Sequence, residues 1–453
     1  MPTESTATST PAAAPRPGWR EVLRGVRDPK VALLLVLGLA AGLPFMLVGN
    51  TLGFWLRTEG IELGAIGFLS WVGIAYSVKF LWAPVVDRTT VPLLGRLGRR
   101  RGWLLLAQGG VVLGLLAMAL LTPKGHLQLF GAIALGVALA SATQDIVIDA
   151  WRIECAESSD QLAILSAAYQ LGYRTALLLT DALIFLVAAQ VGWASSYAAF
   201  AAMAFAGLVV VLFVGEPRSA GPSSSVGLPP LWTPRGLYDA ILGPFIAFFL
   251  QHRQMALAVL AAISLYRLAD FVMGPMANPL YADLGIAEQT IGKVRGGIGL
   301  AATFFGTAAA GVAALRLGLF PTLLLGAVLG PLSNLAFAWL ALSGADNVVF
   351  GIAMAIDNFS AGFAGIALIA YMSSLTNVGY TATQYALLSS FYALLGKVMK
   401  GFSGVIVETL AQTRPLMEAY ALFFAGTAAL AVPAIALVAW LARHAPAGVS
   451  SKS

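Results

Sequence analysis

Charged side chains inside long apolar stretches are the residues of this sequence that are equipped for chemistry. Ionisable groups are costly in an apolar environment unless they face a cavity or a partner. Asp145 and Asp149 lie four residues apart, and Arg152 follows three residues later, which places all three on one face of a helix. Such carboxylates can carry a proton or form part of a gate. They can equally form an ion-pair stripe that only stabilises helix packing, and the sequence leaves both interpretations open.

A second apolar stretch contains polar residues at intervals of four and seven positions. Gln170, Arg174 and Asp181 again share one helical face. An arginine in a wide cavity is suited to bind an anionic group, because its guanidinium can hold a carboxylate through two parallel hydrogen bonds. The alternative is an ion pair of Arg174 with Asp181 or with Asp145 that contributes only to packing.

The second half of the sequence carries its own polar set. Arg267 and Asp270 lie one helical turn apart, and Asp357 is followed directly by Asn358 within an apolar stretch. We predict that Arg267 binds an anionic group and that Asp270 and Asp357 are candidate proton carriers. Asp357 lies deeper in its stretch, which favours a functional role for this carboxylate.

Two lysines share one face of a later apolar stretch. Lys397 and Lys400 are three residues apart, so their side chains point in a similar direction from a helix. They face either an internal cavity, where Lys397 would bind an anionic group, or the membrane interface, to which long lysine side chains can extend. The sequence does not decide between these positions.

The motifs of several other functional classes are missing. The sequence has no phosphate-binding loop with a following Lys and Ser or Thr, which argues against a nucleotide-driven pump. The three histidines, His126, His252 and His444, are scattered, and Cys155 is the only cysteine, so neither a metal site nor a disulfide framework is predicted. No Ser–His–Asp arrangement indicates a hydrolase. We therefore expect no enzyme activity and no cofactor.

The composition is typical of a membrane protein, since 59% of the 453 residues are apolar and only 11% are charged. A soluble domain of this size would need more charge to cover its surface. A membrane-spanning helix needs about 20 mostly apolar residues, and roughly twelve such stretches are present. The longest polar interval, at residues 215–235, separates six of them from the other six. The predicted fold class is therefore an all-α membrane protein of two six-helix halves.

Basic residues are concentrated in the loops on the side of both termini, and residues 99–101 are three consecutive arginines. The positive-inside rule therefore places both termini in the cytoplasm. We predict an N-terminal disordered or interfacial segment (1–30), a first half (31–214), a cytoplasmic linker (215–253) with an interfacial helix at 237–250, a second half (254–442) and a C-terminal tail (443–453).

Asp87 and Arg88 end the second predicted span, and glycines and arginines follow at residues 95–101. An aspartate and arginines at this place resemble the cytoplasmic loop signature of the major facilitator superfamily. The corresponding loop of the second half keeps little of this pattern. The resemblance implies a role in gating for Asp87 and Arg88.

Further short segments form an ordered pattern from residue 31 to residue 440. They include Gly-Leu-Pro at 42–44, Lys-Phe-Leu-Trp-Ala-Pro at 79–84, Ser-Ala-Thr-Gln-Asp at 141–145, Tyr-Gln-Leu-Gly-Tyr-Arg at 169–174, Asn-Pro-Leu-Tyr at 278–281, Asp-Asn-Phe-Ser at 357–360 and Tyr-Thr-Ala-Thr-Gln-Tyr-Ala-Leu-Leu-Ser-Ser at 380–390. Together these segments resemble the AmpG family of muropeptide permeases, a branch of the major facilitator superfamily.

The resemblance implies proton-driven import of N-acetylglucosaminyl-anhydro-N-acetylmuramyl peptides from the periplasm across the bacterial inner membrane. Such ligands carry carboxylates, hydroxyls, amides and sugar rings. The candidates to bind carboxylates are Arg174, Arg267 and Lys397, those for hydroxyls and amides are Gln144, Gln170, Asn358, Gln384 and Tyr385, and those that would stack on sugars, unless they only pack, are Trp55, Trp71 and Tyr173. The candidates for proton coupling or gating are Asp145, Asp149, Asp270, Asp357, Asp87 and Arg88.

Two alternatives remain open. A permease for another bulky anion, such as a siderophore, would be indicated by iron-regulated neighbouring genes. A non-transporting factor that helps to assemble membrane complexes has no need of buried charges, and their retention at cavity-facing spacing argues against it. In each case we expect a monomer in the lipid bilayer, and for the transporters a small-molecule substrate and no nucleic-acid partner.

Overall fold

The computed structural model describes residues 27–157, 159–213, 215–216, 233, 255–375, 388 and 392–444. Within these residues the chain is helical and forms no strand. Most of the predicted N-terminal segment and linker, the interfacial helix at 237–250 and the C-terminal tail from residue 445 lie outside this part of the chain.

Twelve helical segments follow one another along the described residues. They are α1 (Pro29–Leu47), α2 (Leu63–Val78), α3 (Arg99–Leu120), α4 (Leu127–Cys155), α5 (Ser159–Leu178 continuing to Val191), α6 (Trp193–Val211), α7 (Ala256–Asp283), α8 (Glu288–Leu317), α9 (Leu319–Ser343), α10 (Asn347–Ser374), α11 (392–411) and α12 (Leu416–His444). Ten of them are long and apolar enough to cross a membrane, and α2 is a shorter apolar helix. The predicted fold class is confirmed, and the chain is a multi-pass membrane protein.

The two ends of the helix bundle are distinguished by the chain termini. Successive helices alternate in direction, so Pro29 and His444 lie at the same end, which we call the termini end. The opposite end, which we call the distal end, contains a short helix Asn50–Thr58 that continues α1. There Arg57 donates to Asp283 at the end of α7, with 2.7 Å between Nε and Oδ1.

Glycines allow the closest helix contacts. A Cβ added to Gly172 of α5 would lie 2.0 Å from the carbonyl oxygen of Leu35, and one added to Gly38 of α1 would lie 2.1 Å from that of Tyr169. Small residues that let two backbones approach are typical of helix pairs in membranes. This contact fixes which face of α5 packs on α1, and it thereby sets the direction of the remaining side chains of α5.

The two halves are joined at the distal end. Besides the Arg57–Asp283 pair, Glu408 of α11 accepts a hydrogen bond from the backbone N–H of Gly64 at 2.9 Å. Trp193 of α6 donates to Glu288 of α8 at 2.7 Å. In this conformation the distal end is therefore closed by contacts between the halves.

The arginine-rich loop is held by acidic residues at the termini end. Arg100 pairs with Glu154 of α4 at 2.6 Å, and its side chain is only 5% exposed. The carboxylate of Glu216 accepts the backbone N–H groups of Arg100 and Arg101 and so caps the N-terminus of α3. Gly98, with a φ of 117°, makes the turn that allows this cap. These contacts lie within the first half and between it and Glu216 at the start of the predicted linker.

Asp87 and Arg88, the two residues predicted to act in gating, end the short helix Ala83–Arg88 that follows α2. Their backbone position agrees with the expected end of the second span. Their side chains lie outside the described part of the structure, so a gating role for them stays a prediction.

We expect Gly172→Ala to lower the free energy of unfolding in detergent by about 1–3 kcal/mol, because the added methyl group meets a backbone carbonyl that cannot move aside cheaply. The matched control is Gly136→Ala in α4, where an added Cβ has no atom within 4 Å. Thermal unfolding of both purified variants measures the difference. Equal midpoints for the two would contradict the close α1–α5 contact.

Candidate functional site

A cavity of about 340 Å³ lies between the two halves, with walls formed by α1, α2, α7 and α11. The wall contributed by the first half is largely apolar and aromatic. Phe45 and Tyr76 meet there edge to face, with 5.3 Å between the ring centroids, and Met46 lies beside them. Asn50 completes this wall towards the distal end. Such a surface suits the apolar face of a ligand.

The wall contributed by α7 carries an ion pair. Arg267 interrupts α7 between Tyr266 and Leu268, with φ −109° and ψ 11°. Its Nε lies 2.6 Å from Oδ2 of Asp270, one turn further along the helix. The one-turn spacing that the sequence indicated is thus a contact. Helix breaks at mid-membrane depth are typical of binding sites in transporters, because they free polar groups to face a cavity.

The wall contributed by α11 carries two lysines. Lys397 and Lys400 both line the cavity, and the ammonium of Lys397 lies 6.0 Å from the ring centroid of Tyr76. Their position favours the cavity over the membrane interface, the two alternatives that the sequence left open. Among the described residues neither lysine forms an ion pair. Because Asp270 balances Arg267, the two lysines leave the cavity with positive charge.

A second polar group lies inside the first half. Asp145 is 8% exposed and accepts hydrogen bonds from Lys79 at 3.3 Å and from Tyr169 at 3.2 Å. Arg152 pairs instead with Asp149, one turn away, at 3.1 Å. The shared helical face predicted for these residues is present, but the partner of Asp145 comes from the 3-10 turn Lys79–Leu81 that follows α2. The sequence analysis did not identify Lys79 as a candidate functional residue, although Lys79, like Asp145, is a charged residue within an apolar stretch.

Gln144 neighbours Asp145 and is completely buried. Neither its amide nitrogen nor its amide oxygen has a hydrogen-bond partner among the residues the structure describes. The residue lies within the first half rather than on the wall of the central cavity. Its predicted contact with a ligand amide is not made from this position, and it stays a prediction for another conformation.

The face of α5 predicted to bind a ligand is exposed. Gln170 and Arg174 are both exposed, and they lie on the same helical face as Asp181. Neither ion pair considered for Arg174 is present, since Asp181 pairs with Arg295 and Asp145 with Lys79. A role of Arg174 in binding a ligand stays a prediction.

Asp357 and Asn358 face the interior of the second half. Asp357 accepts a hydrogen bond from Ser333 of α9 at 3.2 Å. Asn358 donates to the carbonyl of Met354 on its own helix at 2.9 Å and accepts from Thr303 of α8 at 3.3 Å. Neither residue lines the central cavity. Gln384 and Tyr385, the other predicted polar contacts of this half, lie outside the described residues.

Of the three predicted sugar-stacking aromatics, Trp55 is only 2% exposed and packs against Trp193 and Tyr197 near the distal end. This burial excludes it from stacking on a ligand in this conformation. Trp71 donates to the carbonyl of Val398 at 2.9 Å and packs along the α2–α11 seam. Tyr173 is half-buried within the first half.

An ion pair that the sequence analysis did not predict joins the halves. Arg295 of α8 donates to Asp181 of α5, with 2.8 Å between Nη1 and Oδ1. The side chain of Arg295 is 9% exposed and that of Asp181 is 37% exposed. Arg295 begins the segment Arg-Gly-Gly-Ile-Gly within an apolar span. Its charge in such a span would have been enough to identify it as a candidate functional residue.

The known proteins to which this chain is similar are transporters. A family profile described as acetyl-coenzyme A transporter 1 matches residues 30–134. The anhydromuropeptide permease of Escherichia coli (strain K12) is 34% identical over 421 residues, which are 92% of this chain and 81% of that protein. The putative transporter AmpG 4 of Rickettsia felis is 30% identical over 417 residues, 92% of this chain and 97% of that protein. The crystal structure of the nucleoside transporter NupG superposes with a TM-score of 0.68 at 13% identity, over 92% of this chain and all of that one, which shows a shared fold.

We expect Lys79→Met and Asp145→Asn each to lower the free energy of unfolding by about 1–3 kcal/mol, because the first leaves the buried carboxylate of Asp145 without its partner and the second leaves the half-buried ammonium of Lys79 without one. The double variant is expected to lose less than the sum of the two. Unfolding of the parent protein, the two single variants and the double variant in detergent gives the coupling energy between Lys79 and Asp145. The control is Lys30→Met, whose partner Glu157 is 81% exposed. Strict additivity of the two single changes would show that the pair does not interact.

Proposed function

Because the chain belongs to the AmpG family of the major facilitator superfamily, we propose that it imports anhydromuropeptides from the periplasm into the cytoplasm by alternating access, driven by the proton gradient. The substrate is moved without chemical change. The observation that carries this proposal is the pair of lysines, Lys397 and Lys400, that face the central cavity without an acidic partner among the described residues.

The lysine pair supports an anionic substrate. An ammonium group within a membrane span is costly unless an opposite charge or water solvates it. Carboxylates of a peptide would supply that charge, and a hydrogen bond between charged groups is stronger than a neutral one. Arg267, already paired with Asp270, adds donors from the wall contributed by α7. Arg174, exposed on α5, is a further donor for a second carboxylate.

The opposite wall supports a sugar. Phe45 and Tyr76 present ring surfaces to the cavity, and the apolar face of a pyranose ring packs well on aromatic rings. These two residues take the role that the sequence analysis assigned to Trp55. A cavity with cations on one side and aromatic rings on the other fits a ligand with a carboxylate end and a sugar end.

Proton coupling is proposed for the buried carboxylates. Asp145 is the preferred carrier, because its ion-pair partner Lys79 and its hydrogen-bond donor Tyr169 both belong to the first half. Binding of a proton would remove the charge of Asp145 and release Lys79. Asp149, Asp270 and Asp357 are the remaining candidates, since each of them lies within a span.

The proposed orientation places the termini end in the cytoplasm of a bacterium, with the protein acting as a monomer in the inner membrane. The arginines at residues 99–101 support this orientation through the positive-inside rule. The distal end then faces the periplasm. The conformation described here would be closed to the periplasm.

The proposed function predicts uptake of an anhydromuropeptide that depends on the proton gradient. Cells that lack their own permease and express this chain are expected to accumulate radiolabelled N-acetylglucosaminyl-anhydro-N-acetylmuramyl tripeptide, and a protonophore is expected to abolish the accumulation. Cells with empty vector are the control. Uptake that a protonophore leaves unchanged would reject proton coupling. Absence of uptake, with the protein detected in the membrane, would reject this substrate and favour another bulky anion such as a siderophore.

The second prediction concerns the lysines. Lys397→Met and Lys400→Met are each expected to raise the KM for uptake by about tenfold or more, since a hydrogen bond to a charged group contributes about 1.5–3 kcal/mol. Arginine at either position is expected to keep most of the affinity, because it retains the charge. Lys293→Met, which removes an exposed lysine of α8, is the matched control. An unchanged KM in both cavity variants would contradict the proposed binding wall.

A further inference from the structure

One guanidinium ties three helices together across the two halves. Arg295 of α8 donates to the carboxylate of Asp181 at 2.8 Å and to the backbone carbonyl of the same residue at 3.2 Å. Its other terminal nitrogen donates to Oδ1 of Asn278 on α7 at 2.5 Å. The guanidinium also lies over the rings of Phe185 and Tyr281, 5.1 and 5.6 Å from their centroids. The charge is thus held by one carboxylate and by several neutral groups.

This arrangement reaches the central cavity. Asn278, which accepts from Arg295, donates its own amide to the backbone carbonyl of Asn50. Asn50 is part of the cavity wall at its distal side. Arg295 therefore connects the ion pair between the halves to the distal side of the cavity through a single intervening residue.

Both members of the ion pair lie in irregular turns of their helices. Asp181 lies in a π-helical turn, Leu179–Leu183, and Arg295 begins another, Arg295–Gly299. A π turn inserts one residue into the regular hydrogen-bond ladder, and such turns are places where helices bend. Three of the five residues of the α8 turn are glycine, which further eases a change of backbone conformation.

The position of the pair differs from that of other ion pairs of this chain. The pairs of Asp145 with Lys79 and of Asp270 with Arg267 each lie within one half, so they need not break when the halves move apart. The pair of Arg57 with Asp283 joins the halves, but it lies at the distal end. Arg295 lies seven residues inside α8, which corresponds to a depth of about 10 Å.

We propose that Arg295 is a positioning residue for transport that clamps α5 of the first half to α7 and α8 of the second, and that loss of its ion pair with Asp181 opens the distal end. The inference rests on the proposed function in that transport requires the distal end to open. In this proposal the pair of Arg295 with Asp181 holds the distal end closed. The helices α5 and α8 then separate at their two π turns.

In the closed conformation the charge of Arg295 is compensated by one carboxylate, that of Asp181. Removal of one partner of a buried ion pair leaves the other uncompensated, which is strongly unfavourable. Asp181→Asn would leave Arg295 with neutral acceptors in the closed conformation only, because opening exposes the guanidinium to water. The variant therefore destabilises the closed conformation relative to the open one. Arg295→Gln removes the clamp directly and is expected to act in the same direction.

The test measures how accessible the α5–α8 seam is. Cys155, the only cysteine, is changed to alanine, and Leu186→Cys is introduced as a reporter. The Leu186 side chain lies against Gly292 of α8, five residues from Asp181 towards the distal end. The full chain, purified in lipid nanodiscs, is treated with a polyethylene glycol maleimide. The labelled fraction is followed by gel shift, which requires neither a substrate nor a known membrane orientation.

In this background we expect Asp181→Asn and Arg295→Gln each to raise the labelling rate by about tenfold or more, because Asp181 is the carboxylate that compensates the buried guanidinium of Arg295 in the closed conformation. The exchanged pair, Asp181→Arg with Arg295→Asp, is expected to restore slow labelling. Glu157→Gln, which removes an ion pair within the first half, is the matched control and is expected to label at the parental rate.

Labelling at the parental rate in both single variants, each shown to be monodisperse, would overturn the proposal. Fast labelling in the exchanged pair would overturn it as well, because charge complementarity would then not be what closes the seam. The labelling result does not depend on which substrate the protein transports. Failure of anhydromuropeptide uptake with fast labelling of Asp181→Asn would reject the proposed substrate and keep the clamp.

Discussion

The free-energy cost of a charge in an apolar medium is the constraint on which this structure depends. An ionisable side chain within a membrane span is tolerated when it has a partner or faces a polar cavity. Asp145 meets this condition through Lys79, Arg267 through Asp270, and Arg295 through Asp181. The helices are therefore packed so that each of these charges is matched across a helix contact or along one helix face.

In the proposed transport cycle, in which the halves move, the same constraint distinguishes three kinds of charge. A pair within one half, such as Lys79 with Asp145, keeps its contact when the halves rotate as rigid bodies. A pair between halves, such as Arg295 with Asp181, must break in one of the conformations. Charges on the cavity wall without an acidic partner among the described residues, Lys397 and Lys400, are left for a ligand. The role that we propose for a charged residue thus depends on where its ion-pair partner lies, and the presence of the charge alone does not decide it.

The sequence predicts what is local and leaves open what depends on helix contacts. The membrane spans follow from hydropathy, because the thickness of the bilayer sets their length. The pairs Arg267–Asp270 and Asp149–Arg152 follow from helical periodicity, because their members are three residues apart. The partners of Asp145 and Asp181 are 66 and 114 residues away. They depend on which helix faces share a contact, which glycines such as Gly172 decide by allowing close approach.

The asymmetry of the cavity connects binding to movement. Its cations belong to α7 and α11 of the second half, whereas Phe45 and Tyr76, which meet edge to face, belong to α1 and α2 of the first; Phe271 of α7 adds a third ring. A ligand shifts a conformational equilibrium only by binding one conformation more tightly than the other. A ligand held by one half alone binds equally well wherever the other half stands. One that places a carboxylate on Lys397 and a sugar on Tyr76 binds most tightly when both walls are within its reach, and it thereby favours the conformations in which the halves have closed around it.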